Sequence, residues 1–422
     1  MRRFLPTRLA LALVLAHGSA HAEETEPPED RYEPGVLPVV AGDTDVGLKL
    51  GAFTQLARFR GGIEPYAWRA QALGAVSIQK TGESTQSPYR EAALHLDWPA
   101  VGAPVLRPSF ALAYLRTTNR GYFGIGNDRS AERLWADLPA GSDAWIAARR
   151  VYQYDGTTIR AVANVIGNPV PHVRTLSSVR FERTLIDVYS GSRLENDIAN
   201  GPGGGDRLYG VSDYDAILFG VGIALDTRDH ETVPTRGQDL QLAMRWSPGA
   251  FDSEPYVGGT LHLRSWLPIL GPDLVLGARL VVDVLSERAP LMELGRYGGF
   301  DGGYGPGGAM GVRGIPAGRL LGRTKLIGNL EARSMFLPFR VGSERFVLGA
   351  AAFADAGRVY TGTFSSAEEL DGSRWKVHPG FGGGPRIRWG DSLLIRADVA
   401  YAPLGAEIGA APGIYVDVEH IL

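Results

Sequence analysis

The chain contains no cysteine. Disulfides, thiolate metal sites and thiol catalysis are therefore excluded, and the fold must hold together by packing and hydrogen bonding alone. Long apolar runs are missing too. No stretch of roughly eighteen consecutive apolar residues occurs, which rules out a helical membrane protein. Nor is there a marked excess of charge: the formal net charge is −3 and the pI is near 6.3, so nothing recruits nucleic acid. Catalytic signatures are equally sparse. G-x-S-x-G and H-E-x-x-H do not occur, and His95, His172, His230, His262, His378 and His420 stand singly. Neither enzyme activity nor a metal or other cofactor is expected.

What the chain has in quantity is glycine, 56 of 422 residues. More than half of residues 298–314, GGFDGGYGPGGAMGVRG, is glycine, and the stretch ends on Val312-Arg313-Gly314. Gly303, Gly305 and Gly308 satisfy G-x-G-x-x-G, but a dinucleotide turn must open a helix. Here Pro306 and more glycine follow, with no helical period, so a phosphate cradle is the weaker reading.

The N-terminus, MRRFLPTRLALALVLAHGSAHA, has Arg2, Arg3 and Arg8 before a short apolar run and ends on an A-x-A site, so residues 1–22 are expected to be a cleaved secretory signal. The paired arginines point weakly to the twin-arginine route; the general secretory route is favoured. Residues 23–35, EETEPPEDRYEPG, are acidic and proline-rich and are expected to be a disordered lead-in.

From Val36 to the end, segments of about ten residues alternate apolar and polar positions. In LVLGARLVVDVL, Leu274, Leu276, Ala278, Leu280, Val282 and Val284 oppose Gly277, Arg279 and Asp283. In LIGNLEARSMF, Leu326, Leu330, Ala332 and Phe336 oppose Asn329, Glu331 and Arg333, and in SLLIRADVAY apolar positions oppose Arg396 and Asp398. A soluble sandwich also alternates, with its apolar face inside. Four features separate the alternatives: the export signal, the number of segments, connections that alternate long and short, and the apolar chain end. Trp98, Tyr189, Trp246, Trp266, Trp389 and Tyr401 near segment ends fit interfacial girdles. The pattern predicts an all-β fold, an antiparallel transmembrane β-barrel occupying residues 36–422, with its short turns toward the periplasm.

Fifteen strands can be counted back from the C-terminus, at 411–422, 392–403, 378–389, 346–359, 326–338, 273–285, 256–268, 238–248, 215–227, 172–189, 150–166, 107–122, 88–100, 66–81 and 45–58. Single-chain bacterial barrels use even numbers, and a short first strand at Val36–Ala41 brings the total to sixteen. The last segment, GIYVDVEHIL, places Val416, Val418, His420 and Leu422 on one face, as a closing strand would.

Three motifs then converge in order: VRG at Val312–Gly314, NLEAR at Asn329–Arg333 and FADAG at Phe353–Gly357. With the inner turn ALDTRDHETVPTRGQDLQL, Ala224–Leu242, they resemble the BamA/TamA family of outer-membrane assembly barrels, also called bacterial surface antigens. The resemblance covers most of the mature chain and implies a sixteen-strand barrel whose longest outer loop folds back into the lumen. It implies that Arg313 meets Asp355, with Glu331 a second acceptor. Strand parity independently turns Phe353, Asp355 and Gly357 inward, and an arginine fork suits a carboxylate. Two departures stand out. Ile315-Pro316 follow VRG where the family has an aromatic, and about thirteen residues precede the barrel where assembly barrels carry POTRA domains.

The expected function is protein insertion or translocation at the bacterial outer membrane, working through the Arg313 contact and a seam between Val36–Ala41 and Gly413–Leu422, with Val39, Gly413, Val416 and Leu422 as its markers. Outer-membrane lipid, lipopolysaccharide, client outer-membrane proteins and a POTRA-bearing partner are the expected partners. The alternatives are a gated or plugged pore, and a structural surface antigen. Arg279, Arg333, Arg386, Arg388 and Arg396 fit an anion-selective lumen, or pair with Asp283, Asp355 and Asp398 across strands.

Overall fold

Alternation becomes strand in sixteen places: β1 Arg31–Asp43, β2 Gly47–Arg60, β3 Ile63–Thr81, β4 Tyr89–Asp97, β5 Leu106–Gly121, β6 Gln153–Val170, β7 Val173–Val188 and β8 Tyr214–Asp226 form the first half of the ring. β9 Gly237–Ser247, β10 Tyr256–Pro268, β11 Leu274–Leu285, β12 Thr324–Val341, β13 Glu344–Tyr360, β14 His378–Trp389, β15 Leu393–Tyr401 and β16 Gly413–Asp417 complete it. The structure, a computed structural model, describes residues 30–417 except 44–45, 61–62, 82–83, 100, 102–105, 203–206, 231–232, 271–273, 301, 343, 366, 374 and 390–392. Residues 1–22, most of the lead-in, and Leu422 lie outside the described residues.

Each strand pairs antiparallel with the next, and β1 pairs with β16, so the sheet closes on itself. Closure removes the open edge that would otherwise leave backbone N–H and C=O groups unpaired in lipid. The alternation also sets the two faces. Leu50, Val76, Leu94, Leu112, Val221, Leu242, Leu280, Leu330 and Val399 are exposed on the outside. Arg279, Asp283, Asn329, Glu331, Arg333, Asp355, Arg386, Arg396 and Asp398 are buried on the inside. A polar lumen inside an apolar belt is the inverse of a soluble sandwich.

Two expectations need correction. β1 starts at Arg31, not Val36, so Arg31–Gly35 belong to the barrel and pair with Gln55–Phe59. Composition alone suggested disorder there, but cross-strand contacts hold the segment: Arg58 donates to Asp30 at 2.7 Å, and Tyr32 packs edge-on to Trp68. Trp266 is not a girdle residue. It points into the lumen, 3% exposed, with Arg228 over its ring, because it shares the inward parity of His262 on β10. Trp246, stacked on Phe219, and Tyr401, against Phe381, do lie outside.

The outer end is capped by the long connections. Helix α1, Asp143–Arg150, lies between β5 and β6, and helix α2, Arg193–Asn200, between β7 and β8; Ser142 and Ser192 cap their first turns. Tyr122, Leu194, Leu291, Met292 and Leu294 from three connections form one apolar cluster with Tyr154, Tyr214 and Leu285 at the strand tops. This cap anchors both ends of the segment between β11 and β12.

Candidate functional site: a loop folded into the lumen

Residues 286–323 leave β11 at the outer end and descend into the barrel before returning to β12. Val312, Arg313 and Ile315 are completely buried. Glycine makes the path passable. Gly314 has φ +89°, and a Cβ there would lie 2.8 Å from the Ala402 nitrogen; a Cβ on Gly357 would lie 2.6 Å from Val312 Cγ2. The loop backbone is then held by lumen side chains. Arg396 donates to the Ala309 carbonyl at 3.2 Å, Arg279 to Met310 at 2.6 Å and Asn329 to Gly311 at 2.8 Å, three successive acceptors.

Below this grip stands Arg313. Its Nε and Nη2 donate to the two oxygens of Asp355 at 2.8 and 3.0 Å, and its backbone N–H donates to Oδ2 at 3.1 Å. Nη1 donates to Glu331 at 3.2 Å and to Asp398 at 3.1 Å. The guanidinium carbon lies 3.2 Å from the centroid of the Phe353 ring, a placement that favours charge through the ring's negative face. Asn329 donates to Asp355 as well, at 2.8 Å.

Three carboxylates are more than one arginine can balance. Arg386 donates to Asp398 at 2.6 Å and to Glu331 at 3.0 Å, and Arg396 donates to Asp398 at 3.2 Å. Three guanidiniums therefore face three carboxylates, every one of them buried. Loss of water works against the charge on Arg313, yet Asp355, Glu331 and Asp398 outweigh it and raise its pKa above the ordinary arginine value. Removing one member of such a cluster strands the others without water.

The structure thus brings together Val312, Arg313, Gly314, Glu331, Phe353, Asp355 and Gly357. The sequence reading did not assign Asp398 or Tyr415 to this cluster. Asp398 was visible as an inward position of β15, and Tyr415 shares inward parity on β16, but nothing in the chain order says that either stands opposite residue 313. Ile315, where the family has an aromatic, is not an empty position. It packs with Val312, Leu320, Val359, Ala402 and Leu404. The lumen arginines follow the pairing expectation only in part. Arg386 and Arg396 pair with Asp398, whereas Arg279 grips loop backbone and Arg333 reaches the Pro234 carbonyl of the inner turn.

The seam markers are placed less completely. Gly413 and Val416 lie in β16, and the described β1–β16 pairs are Gly42 with Val416 and Asp43 with Tyr415. Val39 pairs with Gly51 of β2. No last-strand partner of Val39 lies among the described residues.

Residues 164–412 match the model of the Omp85 superfamily domain. The chain belongs to the Omp85 superfamily. Similar solved structures include BamA from Haemophilus ducreyi lacking POTRA domains 1–3, with a TM-score of 0.55 and 11% identity over 93% of this chain and 70% of that one. CdiB from Escherichia coli has a TM-score of 0.58 and 11% identity, over 93% of this chain and 63% of that one. No curated protein matches the sequence. At this identity the likeness is one of fold, and that fold points to the bacterial outer membrane. The segments VRG, NLEAR and FADAG supply Arg313, Asn329, Glu331, Phe353 and Asp355 of the buried cluster.

Proposed function

We propose that this Omp85 barrel acts in protein insertion or translocation at the outer membrane, in the manner of the BamA/TamA branch, with the Arg313 cluster as a latch and the β1–β16 seam as the moving part. The export signal in residues 1–22, the lipid and lipopolysaccharide surroundings, the client proteins and a POTRA-bearing partner belong to the same proposal. The observation that carries it is the link between latch and seam: Gly314 of the inserted loop donates to the Tyr415 hydroxyl at 2.9 Å, and Tyr415 pairs with Asp43 across the seam. The first strand adds support. Pro34 and Pro38 lack an N–H and share parity, so β1 has two missing donors on one side.

The test is a reversible lock. Val40 and Val416 lie on the outward face, two residues apart in register, a diagonal of about 7–8 Å. In a chain without cysteine, Val40→Cys with Val416→Cys provides the only two thiols for a short cleavable cross-linker. Folding of a test β-barrel into liposomes carrying the locked protein should fall to the rate of protein-free liposomes and recover on cleavage. Undiminished activity in the locked form would sink the proposal, and steady ion current unaffected by the lock would favour a gated pore instead.

A further inference from the structure

Most lumen cations stand against carboxylates. Arg160 meets Glu182, Arg180 meets Glu293, Arg245 meets Asp283 and Arg264 meets Asp239. One region breaks the pattern. Between the tops of β2, β4 and β5, the β5–β6 connection and residues 408–412 lies a cavity of about 680 Å³. Lys49, Arg120, Arg133 and Arg149 line it, and Asp417 is the one carboxylate among its described lining residues. That carboxylate is already shared with Arg396 at 3.4 Å.

The cations here lean on rings. Lys49 Nζ lies 4.2 Å from the centroid of Tyr89, Arg149 4.7 Å from that of Trp145 and Arg120 5.9 Å from that of Tyr304. A neutral ring face steadies a cation without cancelling its charge, so Lys49 and, while Tyr304 is protonated, Arg120 leave positive charge among the described residues of the cavity. Low-dielectric walls concentrate its field.

Arg120 is directed into the lumen by a local feature of the strand. Thr117 pairs with Gly156, but Arg120 pairs with Tyr154, so β5 carries one extra residue between them. Without that bulge Arg120 would have the parity of Leu112, which faces lipid. Its side chain crosses the space left by Gly156, where a Cβ would lie 2.9 Å from its Nε. That Nε is sealed from solvent and has no hydrogen-bond partner among the described residues.

We infer that this cavity is a binding site for a phosphorylated ligand arriving from the outer face. Several cations call for more than one negative charge, which a phosphate group supplies. Phe123, Trp135 and Trp145 offer apolar wall for the rest of the molecule. The phosphate belongs either to a glycolipid of the outer leaflet or to a free phosphate ester, and the inference stands independently of any insertion activity.

Tryptophan fluorescence gives the readout, since Trp135 and Trp145 line the site. Inorganic pyrophosphate titrated into the purified full chain in neutral detergent should give a saturable change. Lys49→Gln with Arg120→Gln should weaken it about ten-fold or more, while heat-modifiable gel migration shows the barrel still folded. Arg133→Gln, exposed at the rim, is a second variant that leaves the lumen wall intact and should weaken binding less. In proteoliposomes of neutral phospholipid, a phosphorylated glycolipid is compared with its dephosphorylated form. Saturation by pyrophosphate supports a free phosphate source, and response to the phosphorylated glycolipid alone supports the lipid. Absence of both responses, or equal binding by the folded double variant, overturns the inference.

Discussion

The Gly314 amide donates to the Tyr415 hydroxyl at 2.9 Å, joining the tip of the inserted loop to the last strand of the ring. Tyr415 packs in turn on Phe353, whose ring also lies under the Arg313 guanidinium. One aromatic side chain therefore touches the loop, the strand that carries Asp355 and the closing strand. The arginine cluster and the seam are neighbours by contact.

Tyr415→Phe tests that link with minimal change of shape. It removes the hydroxyl that accepts from Gly314 and leaves that buried amide unsatisfied, a loss of about 1–3 kcal/mol. Global stability in denaturant should fall by about that much. Cross-linking of Val40→Cys to Val416→Cys should become more sensitive to temperature, because the seam has lost its tie to the loop. An unchanged temperature dependence would mean the loop and the seam are independent.

Arg313→Ala should be far more severe. It removes both guanidinium bonds to Asp355, one of the two described bonds to Glu331 and one of the three to Asp398, a loss of about 3–5 kcal/mol for a broken buried pair. Arg313→Lys keeps the charge but not the fork that reaches Asp355 through two nitrogens, so it should recover less than half of the deficit. Denaturant midpoints of the folded band on gels give both values. Equal stability of the alanine variant and the parent would show the cluster to be dispensable.

Gly380 offers a steric route to the same end without touching a charge. A Cβ at this position would press well inside contact distance of the Arg313 carbonyl oxygen. Gly380→Ala should therefore lift the loop from its seat. The expected sign is protease cleavage within residues 298–318 of the intact barrel, at a rate approaching that of Arg313→Ala. A protected loop in a stable Gly380→Ala barrel would contradict the packing described.

Much of this was legible because a barrel strand exposes each residue to one of only two environments. Alternation alone turned Asp355, Glu331 and Asp398 inward, and it placed β10 and β14 at 256–268 and 378–389. What alternation does not carry is who stands opposite whom across the lumen. Asp398 and Tyr415 meet residues 313 and 314 through the path of a 38-residue connection, 286–323, and no period records that path. Composition misled at Arg31–Gly35, where an acidic, proline-bearing segment gains order from partners on β2. Arg120 escaped because a bulge reverses parity, and nothing in the sequence LRTTNRG marks the extra residue.

Tyr304 gives the inserted loop a pH response that can be measured. Its hydroxyl accepts from Arg160 at 3.1 Å and from Arg296 at 3.4 Å, and Arg120 stands over the ring. Loss of water contact pushes the phenol up, but Arg296, Arg160 and Arg120 outweigh that and the opposing Glu182, bringing it down to about 7. An ordinary tyrosine titrates near about 10. Between those values the folded chain binds fewer protons than the unfolded one, so stability rises with pH across the window and the gain is lost as pH falls through about 7. Spectrophotometric titration of the folded barrel should show one of its 16 tyrosines ionising near neutrality, and Tyr304→Phe should abolish that step alone. Because the phenolate offsets Arg120, pyrophosphate affinity should weaken over the same step in the parent and stay level in the Phe variant. Ionisation of every tyrosine near 10 would mean that the three arginines spend their charge elsewhere.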